Sequence, residues 1–135
     1  MKDGELHIVA AGIVLDEGKR EVLLIKRADS MWDDLWSMPG GHIEYGETVE
    51  EALKRELKEE LNLEVTNMKF LNYEEFMHPK KPGVEFISLN FLVFAKKEIK
   101  YNDEIKDARW FSLSELPKLK HRLPKAGMDA LRSFL

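Results

Sequence analysis

The chain has 135 residues, 44% of them hydrophobic, with a formal net charge of −4 and no cysteine. That is enough apolar material for one soluble domain with its own core, so a single domain over residues 1–135 is expected. Without cysteine, disulfides and thiolate metal sites are excluded, and the acidic balance argues against a general nucleic-acid surface, which is normally basic.

Residues 1–12 (MKDGELHIVAAG) are too charged and too briefly apolar for a signal peptide. No apolar run approaches the ~20 residues that span a bilayer. A cytoplasmic location with no membrane partner is the resulting expectation. A charged fraction of 34%, rich in Lys and Glu, hints at a heat-adapted host.

Residues 6–15 (LHIVAAGIVL) are apolar and β-branched and read as a buried strand. Asp16, Glu17, Gly18 and Lys19 are turn chemistry, and residues 21–26 (EVLLIK) return as the second strand of a hairpin. A polar loop over residues 28–35 carries Trp32. Trp36, Ser37 and Met38 read as a short strand stopped by Pro39, Gly40 and Gly41, a breaker cluster.

Residues 48–61 have helical character, with Val49, Leu53, Leu57 and Leu61 recurring every fourth position and Asn62 placed for a left-handed cap. Residues 64–76 read as strand, His78 to Gly83 as a loop, and residues 85–95 (EFISLNFLVFA) as a central strand. Arg109, Trp110 and Phe111 form a further short strand, and residues 114–116 and 126–135 are helical. Strands on both sides of one strong helix, with another helix closing the chain, imply a mixed sheet between helices.

The helix is unusual in where it puts its acids. With Leu57 at zero, Val49, Leu53 and Leu61 fall at roughly −80°, −40° and +40°. Glu56 and Glu60 fall at roughly −100° and −60°, inside or against the same apolar stripe, and Glu59 at about −160°. A solvated face laced with pairs such as Glu50–Lys54 or Glu51–Arg55 accounts for Glu50, Glu51, Lys54 and Lys58. It does not account for Glu56 and Glu60. A structural helix rarely turns two carboxylates along its core-facing edge, because buried charge is costly unless compensated. A metal ion or a phosphate-bearing ligand is the partner this pattern calls for.

From Gly41 to Leu63 the chain reads GHIEYGETVEEALKRELKEELNL. This resembles the Nudix box, G-x5-E-x7-R-E-U-x-E-E-x-G-U with U an aliphatic residue. Asn62 stands where the family has Gly, and Asn is the next most tolerant residue for a positive φ. The lead-in Trp36-Ser37-Met38-Pro39-Gly40-Gly41 is similar to the family's W-x-[LF]-P-G-G, and residues 104–116 (EIKDARWFSLSEL) are similar to its late acidic loop followed by W-F. The fold so implied is α/β, the Nudix α/β/α sandwich with a mixed β-sheet between helices.

The activity implied is hydrolysis of the pyrophosphate joining a nucleoside diphosphate to a group X. The cofactor implied is Mg2+, with Mn2+ as a substitute; magnesium prefers hard oxygen ligands and keeps some of its own waters, so a few carboxylates suffice. Carried over residue by residue, Glu56, Glu59 and Glu60 are the metal ligands, with a carbonyl of Gly40 or Gly41 as an addition. Both glycines also border the substrate. Glu56 is the leading general base, and Glu47 pairs with Arg55 to orient the loop against the helix. Glu104 matches the late-loop acid that assists metal or base duties, the alternative being one more charge in the run from Asn102 to Asp107. Arg27 is a phosphate contact or a solvated strand end, and Glu44 a further ligand or ordinary loop solvation. His42, His78 and His121 are read as solvated or packed.

The box selects the bond and leaves X open. PGGHIEYGE resembles the form found in small members acting on nucleoside triphosphates, whose products are a nucleoside monophosphate and pyrophosphate. Pro79, sixteen residues after Leu63, is similar to a marker of ADP-ribose pyrophosphatases, or is simply part of a Pro/Lys/Gly loop. Trp32, Tyr73, Phe76 and Phe86 are base-stacking candidates or core. The expected partner is a small nucleotide, not a nucleic acid, and small Nudix domains often pair as homodimers. A non-hydrolysing nucleotide sensor is the reading of another class, and it sits poorly with three retained box glutamates.

Overall fold

The computed structural model describes residues 3–29 and 31–134. Met1, Lys2, Ser30 and Leu135 lie outside the described residues, so the expectations that fall on them, the loop at Ser30 and the helix end at Leu135, do too.

Strand β1 (Glu5–Asp16) is buried without a break from Ala10 to Leu15, the mark of a strand covered on both faces. It pairs in parallel with β5 (Val84–Ala95) along its whole length. Its other edge is shared. Val9, Ala10 and Ala11 pair with β3 (Gly40–His42), whereas Val14 and Leu15 pair with β2 (Glu21–Arg27). Between them the Gly12 N–H donates to the Pro39 carbonyl at 2.9 Å. β4 (Val65–Met77) adds to β5 at one edge and β6 (Ile105–Ser112) to β2 at the other, giving the order β4-β5-β1-β2-β6 with β3 beside β1. The sheet is mixed.

Helix α1 (Val49–Leu61) starts from a capping box in which Thr48 and Glu51 each satisfy the other's backbone N–H. It ends on Asn62 at φ 51°, the left-handed cap expected there. Leu53, Leu57 and Leu61 pack with Ala10, Val14, Leu23 and Val93 on one face of the sheet. On the other face a 3₁₀ turn (Leu113–Lys118) and α2 (Lys125–Arg132) bring Leu116 and Leu131 against Ile13, Leu15 and Leu92. The result is the α/β/α sandwich. Among the described residues, no helix is long and apolar enough to cross a membrane.

The structure corrects several local expectations. Trp36 and Ser37 make only isolated bridges, to His121 and Ile25, and the strand falls instead on Gly40–His42, across the supposed breakers. The glycine there marks close backbone approach: a Cβ on Gly40 would lie 2.1 Å from the Ala10 carbonyl oxygen. The short strand at Arg109 is eight residues long, because its full edge pairs with β2. The turn after it is 3₁₀ rather than α, and α2 starts at Lys125 and stops at Arg132. The Glu51–Arg55 pair does not form: Glu51 is engaged in the cap, and Arg55 turns to the loop.

Candidate active site

Where β3 and β2 part, a cleft of about 500 Å³ opens. Its lining includes Ala10, Ser37, Gly41, Glu56, Glu60 and Glu104 on the α1 side. Phe86 and Ser88 reach it from the opposite face of β5, together with Trp32, Phe76 and Arg122.

Arg55 organises the acidic part. Its Nε and Nη2 donate to the Glu47 carboxylate at 2.7 and 2.9 Å, and Nη2 also donates to the His42 carbonyl at 3.0 Å. Nη1 donates to Glu56 at 2.9 Å and to Glu59 at 3.4 Å. One guanidinium thus ties the loop to β3 and to the helix, as a bidentate fork can. These bonds hold the Glu47 carboxylate at about 2, far below its usual range, the Arg55 contact being the main cause. They also raise Arg55 further above its already high value.

Glu56 lies directly over β3. A Cβ on Gly41 would sit 2.4 Å from the Glu56 carboxyl carbon, so the carboxylate occupies the space a side chain would fill. One turn on, Glu60 is 5% exposed. Glu104, from the loop before β6, completes a group in which one carboxylate oxygen from each of Glu56, Glu60 and Glu104 lies within 4.8 Å of the others. Burial first, then the hydrogen bond and charge of Glu56 and the charge of Glu104, push Glu60 up to about 9. Such crowding of hard oxygens is what a divalent cation with oxygen ligands relieves. Ser37 Oγ, buried in the same lining, has no hydrogen-bond partner among the described residues. The residues present fit a magnesium-type ion.

Not every expected residue joins this group. Glu59 is well exposed and turned to Arg55, outside the converging three. Glu44 is exposed, 3.9 Å from Arg55. Arg27 lines the cleft, yet its guanidinium is held by Asp29 at 2.7–3.1 Å, which raises its pKa; the charges of Glu60 and Glu104 reach it as well. Of the histidines, His78 Nδ1 accepts from the Lys80 and Lys81 N–H groups and His121 Nδ1 from that of Leu123. His42 pairs with His7 at 2.8 Å, and burial and His7 lower its pKa. Tyr73 is exposed on β4 away from this lining, whereas Trp32, Phe76 and Phe86 are in it. Reading the sequence missed Arg122, which looks like one more solvated cation in the Lys120-His121-Arg122 run, and Ser37, an unremarkable serine.

A mixed-sheet sandwich presenting three clustered glutamates and an arginine clamp defines the class as a hydrolase of phosphoanhydrides. The NUDIX domain family matches residues 6–131, and the chain belongs to the Nudix family. It is 36% identical over 128 residues to the ADP-ribose pyrophosphatase of Methanocaldococcus jannaschii, covering 94% of this chain and 75% of that protein. To the nucleoside triphosphatase NudI of Escherichia coli it is 34% identical over 105 residues, covering 70% of this chain and 74% of that one. Among solved structures, the MutT protein of Methanosarcina mazei Go1 matches with a TM-score of 0.77 at 21% identity, over 99% of this chain and 96% of that one. The MutT Nudix hydrolase of Burkholderia pseudomallei gives 0.75 at 24%, over 95% and 97%. Both likenesses speak to fold alone. The chain is a Nudix pyrophosphohydrolase acting on a nucleotide pyrophosphate bond.

Proposed function

We propose that this protein, as one Nudix domain, hydrolyses nucleoside triphosphates to nucleoside monophosphate and pyrophosphate with a bound divalent cation. The observation that carries this reading is the convergence of Glu56, Glu60 and Glu104 in a cleft that continues onto aromatic side chains. One part suits phosphates with their cation and the other suits a base. Glu56 and Glu60 would hold the ion, with Glu104 and the Gly41 carbonyl beside them and Glu59 at its outer side. When bound, magnesium supplies charge neutralisation on the pyrophosphate and activation of water. Glu56 accepts the proton of the attacking water at its carboxylate. Arg55, paired with Glu47, holds Glu56 and the His42 carbonyl of β3 in register, and Arg27, fixed by Asp29, lends positive charge near the phosphates. The NudI relatives, named as nucleoside triphosphatases, support the substrate class.

A second reading, ADP-ribose, is favoured by the M. jannaschii relative. A product assay with Mg2+ and a panel of ATP, GTP, CTP, UTP and ADP-ribose separates the two. Pyrophosphate release from triphosphates is expected. Turnover of ADP-ribose with triphosphates inert would replace the first reading by the second, and turnover of neither would sink both.

A further inference from the structure

The Arg122 backbone is hydrogen-bonded in place, while its guanidinium makes no hydrogen bond among the described residues. The Trp36 N–H donates to the Lys120 carbonyl, and the Arg122 N–H donates back to the Trp36 carbonyl, both at 3.1 Å. The Leu123 N–H is fixed on His121 Nδ1 at 3.2 Å. This clamp places the guanidinium carbon 3.6 Å from the Trp32 ring centroid and 4.7 Å from that of Phe76, within the cleft. Among the described residues no acceptor lies within hydrogen-bond reach of it. Glu74 is the one acid whose charge it feels, and the Glu74 carboxylate already accepts from Asn90 Nδ2 at 3.3 Å. Burial lowers the pKa of Arg122, although an arginine stays charged regardless. The Arg122 N–H groups are not sealed from solvent, so this half-buried fork, stacked on two rings, is open to an acceptor that the described residues do not supply.

On the functional reading above, on which this inference rests, the phosphates belong with the glutamates. The part of the substrate that meets Trp32, Phe76 and Arg122 is then the base. The two purines differ in what they offer a guanidinium. Guanine presents adjacent acceptors at O6 and N7, whereas adenine presents N7 beside the N6 amino donor, which opposes an arginine and suits a glutamine.

We propose that Arg122 is a specificity-determining residue that reads the O6/N7 edge of a guanine base, with Trp32 and Phe76 backing its guanidinium. The reading comes from the fork rather than the charge, so lysine does not replace it.

The test is steady-state kinetics on GTP and ATP for the wild type, Arg122→Gln, Arg122→Ala and Arg122→Lys, with calorimetric binding of GMP and AMP beside it. The wild type is expected to prefer GTP in kcat/KM by about 10-fold or more, carried mainly in KM. Arg122→Ala and Arg122→Lys should abolish the preference, and Arg122→Gln should shift it toward ATP. GMP and AMP binding should follow the same order without turnover. Equal wild-type efficiency on both purines overturns the proposal. So does an equal loss on GTP and ATP in the variants, which would mark a contact to phosphate. If the wild type hydrolysed no nucleotide, the functional reading would fall, and the GMP-over-AMP ratio would still decide the role of Arg122. The side chain makes no hydrogen bond but stacks on two rings, so the variants are expected to stay folded and melt only slightly below the wild type, which thermal melts check.

Discussion

Arg55 stands behind the glutamates of the cleft, bonded to Glu56, and Arg122 lines the same cleft among the aromatics. Arg55 spends its fork on Glu47, Glu56, Glu59 and the His42 carbonyl. The Arg122 guanidinium rests on two rings and donates to nothing among the described residues. The first is therefore an internal strut, whose removal strands acids already packed together. The second is a ready-made contact for something outside the chain. A satisfied cation shapes a site, and an unsatisfied one near a cleft addresses a ligand.

The comparison breaks first at the acids that Arg55 serves. Glu56→Gln and Glu60→Gln are each expected to lower kcat by about 100-fold or more while the protein stays folded, since the first removes the positioned base and the second a carboxylate that would hold the ion. Circular dichroism beside the kinetics checks both halves, and near wild-type turnover in both variants would remove the mechanism. Gly41→Ala should resemble Glu56→Gln in kinetics, because the new methyl lands where the Glu56 carboxyl sits.

Arg55→Ala should separate the two arginines by stability. It takes the shared cation away from the Glu47 and Glu56 carboxylates, and a lowered Tm is expected. Arg122→Ala, which gives up only two ring contacts, is expected to lower Tm much less. A comparable drop in both would erase the distinction between strut and ligand contact.

A pH experiment sharpens the acidic side. The folded Glu60 carboxyl titrates at about 9 and an unfolded one near its usual 4.5. Between those values the folded state holds the extra proton, so the contribution of Glu60 to stability falls as pH rises through that window. The metal-free protein should therefore melt lower at pH 8 than at pH 5.5, by an amount that Glu60→Gln reduces. Added Mg2+ should raise Tm more at pH 8. An identical slope in Glu60→Gln would place the titrating group elsewhere. The smallest effect is expected at Glu50→Gln and Lys54→Gln on the outer face of α1, within ~0–1 kcal/mol and without kinetic change.

The strand periods of residues 6–15 and 21–26, the four-residue spacing of Val49, Leu53, Leu57 and Leu61, and the Asn62 cap are local patterns, and each reappears in the structure at its place. The register of Glu56 and Glu60 along the buried stripe is fixed by helix geometry alone, so that part of the candidate site could be read before any folding. Glu104 could be named only through the resemblance, because the residues that bring it to Glu60 are more than forty positions away.

What chain contacts across the sheet decided was the rest. Gly40 and Gly41 look like breakers until β1 is laid beside them, and they then become the places where backbone and carboxylate come close. Helix geometry already turns Glu59 away from the buried stripe, and the fold adds that its neighbour there is Arg55. Arg122 is indistinguishable from a solvated lysine neighbour in one dimension. Its environment comes from Trp32 and Phe76, which arrive on a separate loop and strand. Periodicity fixes which side of an element a residue occupies; only packing fixes what stands opposite, and chemistry in this cleft depends on the second.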